Sequence, residues 1–263
     1  MSRYVLLSFD VEEFDIPLEY NQPIGLEEQM EIGRRGLEAL MPVINAYYLT
    51  CTMFTTANYA LQFPETIKQL SQQHEIASHT FYHSSFQNKH LSESKEALET
   101  ITGTPVVGLR MPRMKKVDIK EVAKAGYVYD SSINPTLVPG RYNNLNSPRT
   151  LFKEGAVYRL PVSVSPLLRL PLFWLAFKNY PYSLFYNLCL RCIKREGYVC
   201  LYFHPWEFTN IKNYKLPGYV KNVCGETLLK KLERLIIDLK KDCEFISIKD
   251  FIHKRALTAN LFK

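Results

Sequence analysis

The sequence predicts an α/β protein with mostly parallel strands, arranged in a barrel-like or open sheet of about seven or eight strands. Short apolar or β-branched runs alternate with helical patterns along the chain, which is typical of parallel strands joined by helical crossovers. The chain has 263 residues and 46% hydrophobic content, the size of one α/β barrel. No Gly-, Ser- or Pro-rich linker and no internal repeat interrupts the pattern. We therefore expect a single domain over residues 1–263.

In the first part of the chain, predicted strands and helices follow from the hydrophobic period. The first helix places Leu37, Leu40 and Ile44 on one stripe. A later helix has Ser92 as its predicted N-cap and Gly103 as its C-terminal stop. In order, the elements are the strand "MSRYVLLSFD", the helix "GLEEQMEIGRRGLEALMPVINAYY", the strand "LTCTMFTTA", a helix from about Pro64, the strand His74 to Ala77, and the helix "SESKEALETITG".

The remaining elements continue the alternation after one interruption, a loop-rich stretch from Pro135 to Gly155. The helix before the interruption ends at Gly126, and a helix after it ends near Gly197. In order, they are the strand "PVVGLRMP", the helix "DIKEVAKAG", the strands "YVYDSS" and "AVYRLPVS", the helix ending near Gly197, the strand "YVCLYFHP", the helix "ETLLKKLERLIIDLKK" and the strand "EFISI".

The most hydrophobic stretch runs from Pro166 to Leu190 and is interrupted by Arg169, Pro171, Lys178 and Pro181. It therefore lacks the unbroken apolar length of a membrane span. We expect a core helix with a loop here, and an interfacial segment is the alternative. The N-terminal apolar run is too short for a signal-peptide core. This predicts a cytoplasmic protein, with the inner membrane surface as a further location.

Composition narrows the classes of partner. A formal charge of +7 suits an anionic partner such as a membrane surface, a nucleotide-linked sugar or nucleic acid. Basic residues cluster only at Arg110–Lys116 and Lys230–Arg234, and no nucleic-acid-binding motif accompanies them. We therefore expect no nucleic-acid partner. The six cysteines are expected to be reduced thiols, and the pair Cys189 and Cys192 to pack in a helix.

Two histidines in "EIASHTFYHSSF" are four residues apart, at positions 79 and 83. A helical turn beginning near Ser78 or His79 would place both imidazoles on one face, where they could bind one cation. The spacing alone leaves open whether this is half of a metal site or two polar residues sharing a face. A zincin motif is excluded because Ser78 stands where the second histidine of H-E-x-x-H is needed after His74. His74 is expected to be structural.

Two other predicted strands end in groups of the same kind. Asp10 and Glu12 follow the first strand at a spacing of two, so they share a face if the strand continues. Buried carboxylates need a cation, a proton or a hydrogen-bonding partner. His204 follows the strand "YVCLYF" and is held by Pro205. Three strand ends thus present a carboxylate pair, a histidine pair and a single histidine, which together favour a site.

The ordered segments "SFDVE", "EIASHTFYH", "GLRMPR", "YVYDSS" and "LYFHPWE" resemble the motifs of the NodB-like polysaccharide deacetylases, in the branch with D-V-E as first motif. Allantoinase-like proteins are related to this branch. The resemblance implies a distorted (β/α) barrel with about seven parallel strands. It also implies a hydrolase that removes N-acetyl groups from sugars with a divalent metal, for which zinc is the expected ion.

The resemblance assigns roles residue by residue. Asp10 matches the general base, Arg110 the arginine that orients it, Asp130 the fourth-motif aspartate and His204 the general acid. The matched metal ligands are Glu12, His79 and His83. Tyr82 and Trp206 offer aromatic faces for a sugar ring, and both could equally be core residues. Two departures from the common pattern are Glu12 in the first motif and Met111 with Arg113 in the third.

These observations favour a metal-dependent deacetylase of an N-acetylated saccharide, with a lipid- or nucleotide-linked precursor as one form of the substrate. Peripheral association with a membrane is compatible with the charge, and the oligomeric state is left open. An allantoinase-like hydrolase of a small cyclic amide is the first alternative. A carbohydrate-binding protein with a decayed site is the second.

Overall fold

The structure is a computed structural model that describes residues 2–260. Its strands are β1 (Tyr4–Val11), β2 (Thr52–Thr55), β3 (Glu75–Ser78), β4 (Gly108–Leu109), β5 (Tyr129–Asp130), β6 (Leu137–Val138), β7 (Tyr142–Asn143), β8 (Phe152–Glu154), β9 (Val157–Arg159), β10 (Tyr198–Phe203) and β11 (Glu244–Phe245). Its helices are α1 (Leu26–Ala46), α2 (Ala57–Gln62), α3 (Pro64–Leu70), α4 (Lys89–Thr102), α5 (Ile119–Lys124), α6 (Trp174–Asn179), α7 (Tyr182–Glu196), α8 (Gly218–Lys221), α9 (Gly225–Lys240) and α10 (Ile248–Asn260).

The main sheet follows the order β10-β1-β2-β3-β4-β5-β9-β8, and every pair in it is parallel except β9 with β8. The strand β11 pairs in parallel with the start of β1. Helices connect most of the parallel strands, as the alternation along the sequence predicts. The α/β fold with about seven parallel strands is confirmed.

The sheet curls into an incomplete barrel, because β9 and β10 do not pair directly within the described chain. The segment after β9 crosses this gap. Ser163 donates its backbone N–H to the carbonyl of Cys200 at 2.9 Å, and its Oγ accepts from the N–H of Cys200, also at 2.9 Å. One residue of irregular chain thus replaces the missing strand pairing.

The core lies on both sides of the central strands. β1 is covered on both faces, which is why it appears in the sequence as an unbroken apolar run. The predicted stripe of α1, at Leu37, Leu40 and Ile44, is buried in the hydrophobic core. The glycines at positions 103 and 197 end α4 and α7 in the left-handed conformation.

Several predicted elements differ in the structure. α4 begins at Lys89, with Asn88 before it, so Ser92 lies inside the helix and not at its N-cap. The loop-rich stretch contains the hairpin β6–β7 and the strand β8. The helices α2 and α10 were not predicted, since α2 is very short and α10 has little amphipathic pattern.

The hydrophobic stretch 166–190 forms a loop followed by α6 and the first part of α7, as expected. Within residues 2–260, no helix combines the length and the apolar character needed to cross a membrane. All six cysteines are free thiols, and Cys189 and Cys192 are buried on α7.

Candidate active site

The predicted catalytic and metal-binding side chains converge at the carboxyl ends of neighbouring parallel strands. β1 delivers Asp10 and Glu12, β3 leads into His79, and β10 leads into His204. Arg110 follows β4 directly. Because the carboxyl ends of parallel strands meet at one edge of the sheet, residues far apart in the sequence become neighbours there.

The tightest group, the Glu12–His79–His83 cluster, has its three ligand-type atoms within 4.8 Å of one another. Glu12 Oε2 lies 3.0 Å from His79 Nε2 and 3.1 Å from His83 Nε2. All three side chains are nearly or fully buried, with 9% of the His83 side chain exposed at most. The cluster therefore brings together the three residues that the resemblance assigns as metal ligands.

The two histidines reach the cluster from a loop, and the helical turn expected after β3 is absent from this part of the chain. Thr80 has a φ of 62°, in the left-handed region, which stops a right-handed turn at its first step. The carbonyls of Thr80 and Phe81 instead accept hydrogen bonds from Ala57 and Asn58 at the start of α2. The prediction of a helix was wrong because contacts with a distant helix decide the conformation of this loop.

The hydrogen bonds around His79 define which ring nitrogen carries the proton. Its Nδ1 lies 2.8 Å from the carbonyl oxygen of Arg110, which only accepts, so Nδ1–H donates. The Nε2 of a neutral His79 then presents a lone pair to Glu12 Oε2, and neither atom has a hydrogen-bond partner in the described structure. Two buried acceptor atoms 3.0 Å apart are stable only with a cation or a proton between them.

The partners of His83 and Glu12 complete this arrangement. Asp15 Oδ1 lies 2.7 Å from His83 Nδ1, the carboxylate–histidine pairing that orients metal-binding imidazoles. Trp206 donates its Nε1–H to the other oxygen of Glu12 at 3.1 Å. Two imidazole nitrogens and one carboxylate oxygen are the donor set of a catalytic zinc-type site. The residues present therefore fit a divalent cation.

The charges of the cluster favour the ionised carboxylate. Burial raises the pKa of Glu12, but the facing histidines, His83 first, outweigh burial and hold that pKa well below its usual range. Burial lowers the pKa of His83, but Glu12 and Asp15 outweigh burial and raise it to about 9. A proton on His83 balances the charge of Glu12. A metal ion would compete with that proton.

Arg110, which is fully buried, holds Asp10 on the side away from the cleft. Arg110 Nη1 donates to Asp10 Oδ1 at 2.7 Å and to Ser8 Oγ at 3.0 Å. Its other nitrogens donate to the carbonyl and hydroxyl of Ser131, and the guanidinium lies 4.0 Å from the ring centre of Phe54. Because every nitrogen of the Arg110 guanidinium has a hydrogen-bond partner, Arg110 holds Asp10 in one orientation.

The second oxygen of Asp10 faces the cleft. Its Oδ2 lies 4.0 Å from His79 Nε2 and 3.9 Å from His204 Nε2. This leaves one carboxylate oxygen between the metal-type cluster and the third histidine. A water molecule or a reacting group at this point would contact Asp10, His79 and His204.

His204 is positioned by Glu207 and Trp206. Glu207 Oε1 lies 3.0 Å from His204 Nδ1, and the Lys178 ammonium pairs with the other oxygen of Glu207 at 3.2 Å. The imidazole stacks on Trp206 with ring centres 4.8 Å apart. Burial lowers the pKa of His204, but Glu12 and Glu207 outweigh burial and raise it. This environment favours a protonated imidazole whose Nε2–H points to the cleft.

Three of the predicted site residues lie apart from the reacting cluster or act indirectly. Asp130 is fully buried and pairs with Arg159 at 2.9 Å and with the hydroxyl and amide of Ser132. Its role toward the site is indirect, since Ser132 Oγ accepts from the N–H of Met111 at 2.8 Å, next to Arg110.

The two aromatic residues proposed for a sugar ring, Tyr82 and Trp206, have different environments. Trp206 is only 2% exposed, so it offers little surface to a sugar. It instead joins Glu12 to His204 by a hydrogen bond and a stacked ring. Tyr82 is 38% exposed and packs on Phe81 and His90, outside the residues that line the cleft.

The residues that sequence analysis missed are partners of the predicted ones: Asp15, Glu207, Lys178 and Trp174. Asp15 and Glu207 stand within five residues of Glu12 and His204, and acidic residues close to predicted ligands were the only sequence pattern that could have indicated them. Lys178 and Trp174 come from α6, and nothing in the sequence links that helix to the motif around His204.

The catalytic cleft above these residues is narrow, with a volume of about 70 Å³. One wall is aromatic and carries Phe173, Trp174 and Tyr202. The lining also contains a charged wall, with Glu19 shared between Arg113 and Arg141. Arg113 also pairs with Asp15 at 3.0 Å, so the third-motif departure at this position supports the histidine–carboxylate pair.

A sequence model of the polysaccharide deacetylase family matches residues 3–129 of the chain. The matched part contains Asp10, Glu12, His79, His83 and Arg110. This match confirms the resemblance to polysaccharide deacetylases. Among proteins with curated descriptions, none matches the sequence significantly.

Solved structures with this fold differ in what they do. A Mycobacterium smegmatis protein classed as a polysaccharide deacetylase has a TM-score of 0.67 at 19% identity, over 97% of this chain and 91% of that one. PuuE allantoinase has a TM-score of 0.64 at 14% identity, over 94% and 88%. A CE4 family pseudoenzyme from Bacillus anthracis has a TM-score of 0.52 at 11% identity, over 95% and 65%. At these identities the likeness establishes the fold only.

Proposed function

We propose that this relative of the polysaccharide deacetylases is a metal-dependent hydrolase that removes the N-acetyl group from an N-acetylated saccharide. The observation that carries the proposal is the buried Glu12–His79–His83 cluster, in which Glu12 Oε2 lies 3.0 Å from His79 Nε2 and 3.1 Å from His83 Nε2. Asp10 and His204 stand beside it with their free atoms 3.9 Å apart. A metal site, a base and an acid at one point are the parts that amide hydrolysis needs.

Glu12, His79 and His83 are the residues that would hold the divalent cation, for which zinc is our proposal. When bound, the cation supplies Lewis-acid chemistry, making water acidic enough to react near neutral pH and polarising the acyl carbonyl. Asp15 keeps the His83 ring in the orientation and tautomer that this requires.

Asp10 is the proposed general base. Its Oδ2 is the oxygen that faces the cluster, and it accepts the proton of the water that attacks the acetamide carbon. Arg110 holds Oδ1 and prevents the carboxylate from rotating. Because Arg110 is fully buried and bound on every side, this orientation is set before substrate arrives.

His204 is the proposed general acid. Its Nε2–H donates a proton to the nitrogen as the carbon–nitrogen bond breaks, so that the sugar leaves as an amine and acetate remains. Glu207 holds the proton on Nδ1 and Lys178 in turn holds Glu207. These contacts raise the pKa of His204 and so favour its protonated form.

The size of the cleft supports an acyl group as the part that enters. About 70 Å³ accommodates a few water molecules or an acetyl group, since a single water needs roughly 10–15 Å³ on this measure. The sugar ring would then lie at the mouth, against the aromatic wall or the charged wall.

The test combines metal analysis with product analysis. Purified protein should contain about one divalent metal per chain and release acetate from N-acetylhexosamine oligomers. The His79→Ala/His83→Ala double variant should lose the metal while keeping its circular dichroism spectrum, because a catalytic-type site is seldom the main support of a fold. Full metal retention in the double variant contradicts the metal site. Hydrolysis of ureides in place of acetamides, by a protein that does bind metal, contradicts the substrate class.

A further inference from the structure

A second depression, the basic groove, opens directly from the catalytic cleft. Both share His83, Arg113 and Arg141 in their walls. The groove has a volume of about 600 Å³, within the range of roughly 300–1,000 Å³ found for small-molecule sites. A substrate whose acetyl group lies in the catalytic cleft therefore extends its remaining atoms into this groove or into solvent.

The charged side chains that line the basic groove all have the same sign. They are Arg113, Lys115, Lys116 and Arg141, and no carboxylate lines the groove among the described residues. This is the cluster at 110–116 that the sequence shows and the catalytic chemistry leaves largely unused. Serine and asparagine side chains supply the remaining polar surface of the walls.

The four cations are not equivalent. Glu19 and Asp15 neutralise Arg113, and Glu19 also binds Arg141. Lys115 and Lys116 are exposed and take part in no ion pair within the described structure, and Lys115 lies 5.8 Å above the ring of Phe86. Two positive charges are therefore available to a ligand, and both belong to the lysines.

We propose that the basic groove binds a phosphate group of the substrate, carried next to the N-acetylated sugar. The assignment rests on the proposed deacetylation and specifies its substrate class as a phosphorylated saccharide. A phosphate monoester carries about −1.5 to −2 charge near neutral pH. A diphosphate diester carries about one negative charge on each of its two phosphates, so both match two free lysines, whereas a uronic acid carries only one negative charge. Lysine binds phosphate as a mobile point charge and needs no fixed fork geometry.

Phosphate next to such a sugar has three chemical sources: a free sugar phosphate, a nucleotide carrier and a lipid carrier. Rates of acetate release should be compared on N-acetylglucosamine 1-phosphate, UDP-N-acetylglucosamine and a polyprenyl diphosphate-linked N-acetylglucosamine in detergent. Neutral N,N′-diacetylchitobiose and a glucuronate-containing disaccharide of N-acetylglucosamine complete the set. We expect the highest kcat/KM on one of the phosphorylated compounds, and the best of the three identifies the source.

The variant that tests the groove is Lys115→Gln/Lys116→Gln. The ratio of kcat/KM on the best phosphorylated substrate to that on diacetylchitobiose should fall about tenfold, since an exposed ion pair contributes up to roughly fivefold. The loss should appear in KM and diminish at high salt. Lys120→Gln/Lys124→Gln removes the same charge from exposed positions of α5 outside the groove, and should leave the ratio unchanged.

Two results would overturn the proposal: a higher kcat/KM on the neutral or the glucuronate substrate, or an equal fall of the ratio in both double variants. Calorimetric titration with N-acetylglucosamine 1-phosphate distinguishes failure of the groove assignment from failure of the deacetylase assignment. If no compound releases acetate but the sugar phosphate binds more weakly to Lys115→Gln/Lys116→Gln than to its control, the groove assignment stands and the deacetylase assignment fails. Equal binding to both variants removes the groove assignment.

Discussion

At the scale of single residues, the two carboxylates of the first motif have different surroundings and hence different proposed work. Glu12 Oε2 faces two imidazoles in the metal-type cluster, and its Oε1 accepts from Trp206. Asp10 gives one oxygen to Arg110 and leaves the other free toward the cleft. Substitutions should therefore separate the proposed metal-ligand role of Glu12 from the proposed proton-acceptor role of Asp10, although the residues are two positions apart.

We predict that Asp10→Asn keeps the metal and loses most of its turnover, whereas Glu12→Gln lowers metal content itself. An amide at position 10 retains an oxygen for Arg110 but accepts no proton, while an amide at position 12 loses the charge that a divalent ion requires. Metal content by mass spectrometry and kcat on the same preparation measure both effects. Metal loss in the first variant together with metal retention in the second would mean that the two roles are exchanged.

His204→Ala should slow cleavage of an acetamide far more than cleavage of an activated aryl acetate. An amine must be protonated as it leaves, while an aryl oxide departs as an anion, and general acids contribute typically about 10²–10⁴-fold. The two rates and the melting temperature are measured on one preparation. A parallel loss on both substrates with a lowered melting temperature would assign His204 to the structure and remove it from catalysis.

At the scale of elements, what the sequence predicted depended on burial. The strand β10 is buried along its whole length and β1 everywhere except at Tyr4, so both appear as mostly apolar runs, and the polar residues at their ends mark the edge of the sheet. The Asp10, Glu12 and His204 positions were therefore accessible to sequence analysis. The motif resemblance added the roles.

The features that could not be predicted depend on contacts between residues far apart in the sequence, which no local sequence pattern shows. The loop carrying His79 and His83 takes its shape from hydrogen bonds to α2, so its spacing suggested a helix that does not form. The partners Lys178 and Arg159 come from elements whose position relative to the site only the folded chain defines. For the same reason, the pairing of Asp130 with Arg159, away from the reacting cluster, could not be predicted.

The contact of α1 with the turn after His204 yields a prediction about stability. Gly36 lies against this turn so closely that an added Cβ would be 2.1 Å from the carbonyl oxygen of Pro205 and 2.7 Å from the nitrogen of Trp206. Gly36→Ala should therefore destabilise the fold by about 1–3 kcal/mol despite the better helix propensity of alanine. Urea unfolding measures the loss, and acetamide cleavage should fall with it because the turn carries Trp206.

Gly25→Ala is the control at the N-cap of the same helix, since nothing lies within 4 Å of the added Cβ. Its effect on unfolding should be the smaller of the two. Equal stability of the Gly36 variant and the unsubstituted protein would mean that α1 and the turn are less closely packed than the structure indicates.

At the scale of the whole molecule, His74 links stability to pH. Burial lowers its pKa to about 4, against an ordinary value of 6.5, and its Nδ1 accepts from the N–H of Cys51 at 3.4 Å. Between these two pH values the unfolded chain binds a proton at His74 that the folded chain excludes. The contribution of neutral His74 to the free energy of unfolding is therefore complete above about pH 6.5 and is lost as the pH falls toward about 4. The loss reaches at most about 3 kcal/mol.

His74→Asn should reduce this acid sensitivity, because asparagine offers an acceptor near the position of Nδ1 and does not titrate. The measurement is the free energy of unfolding at pH 7 and pH 4.5 for both proteins. A smaller difference between the two pH values in the variant is expected. The same difference in both proteins would mean that other groups, and not His74, cause the acid sensitivity.

The order of the strands in the sheet has a consequence for how the site is assembled during folding. The strands β1, β2 and β3 are consecutive in sequence and adjacent in the sheet, so the proposed ligands Glu12, His79 and His83 meet through pairing of consecutive strands. The hydrogen bond from Trp206 to Glu12 closes a loop of 194 residues, and contacts of such separation form late because closing long loops costs more entropy. A chain that has emerged from the ribosome only through its first third already contains all three proposed metal ligands. His204, the proposed general acid, joins them only when β10 has paired with β1.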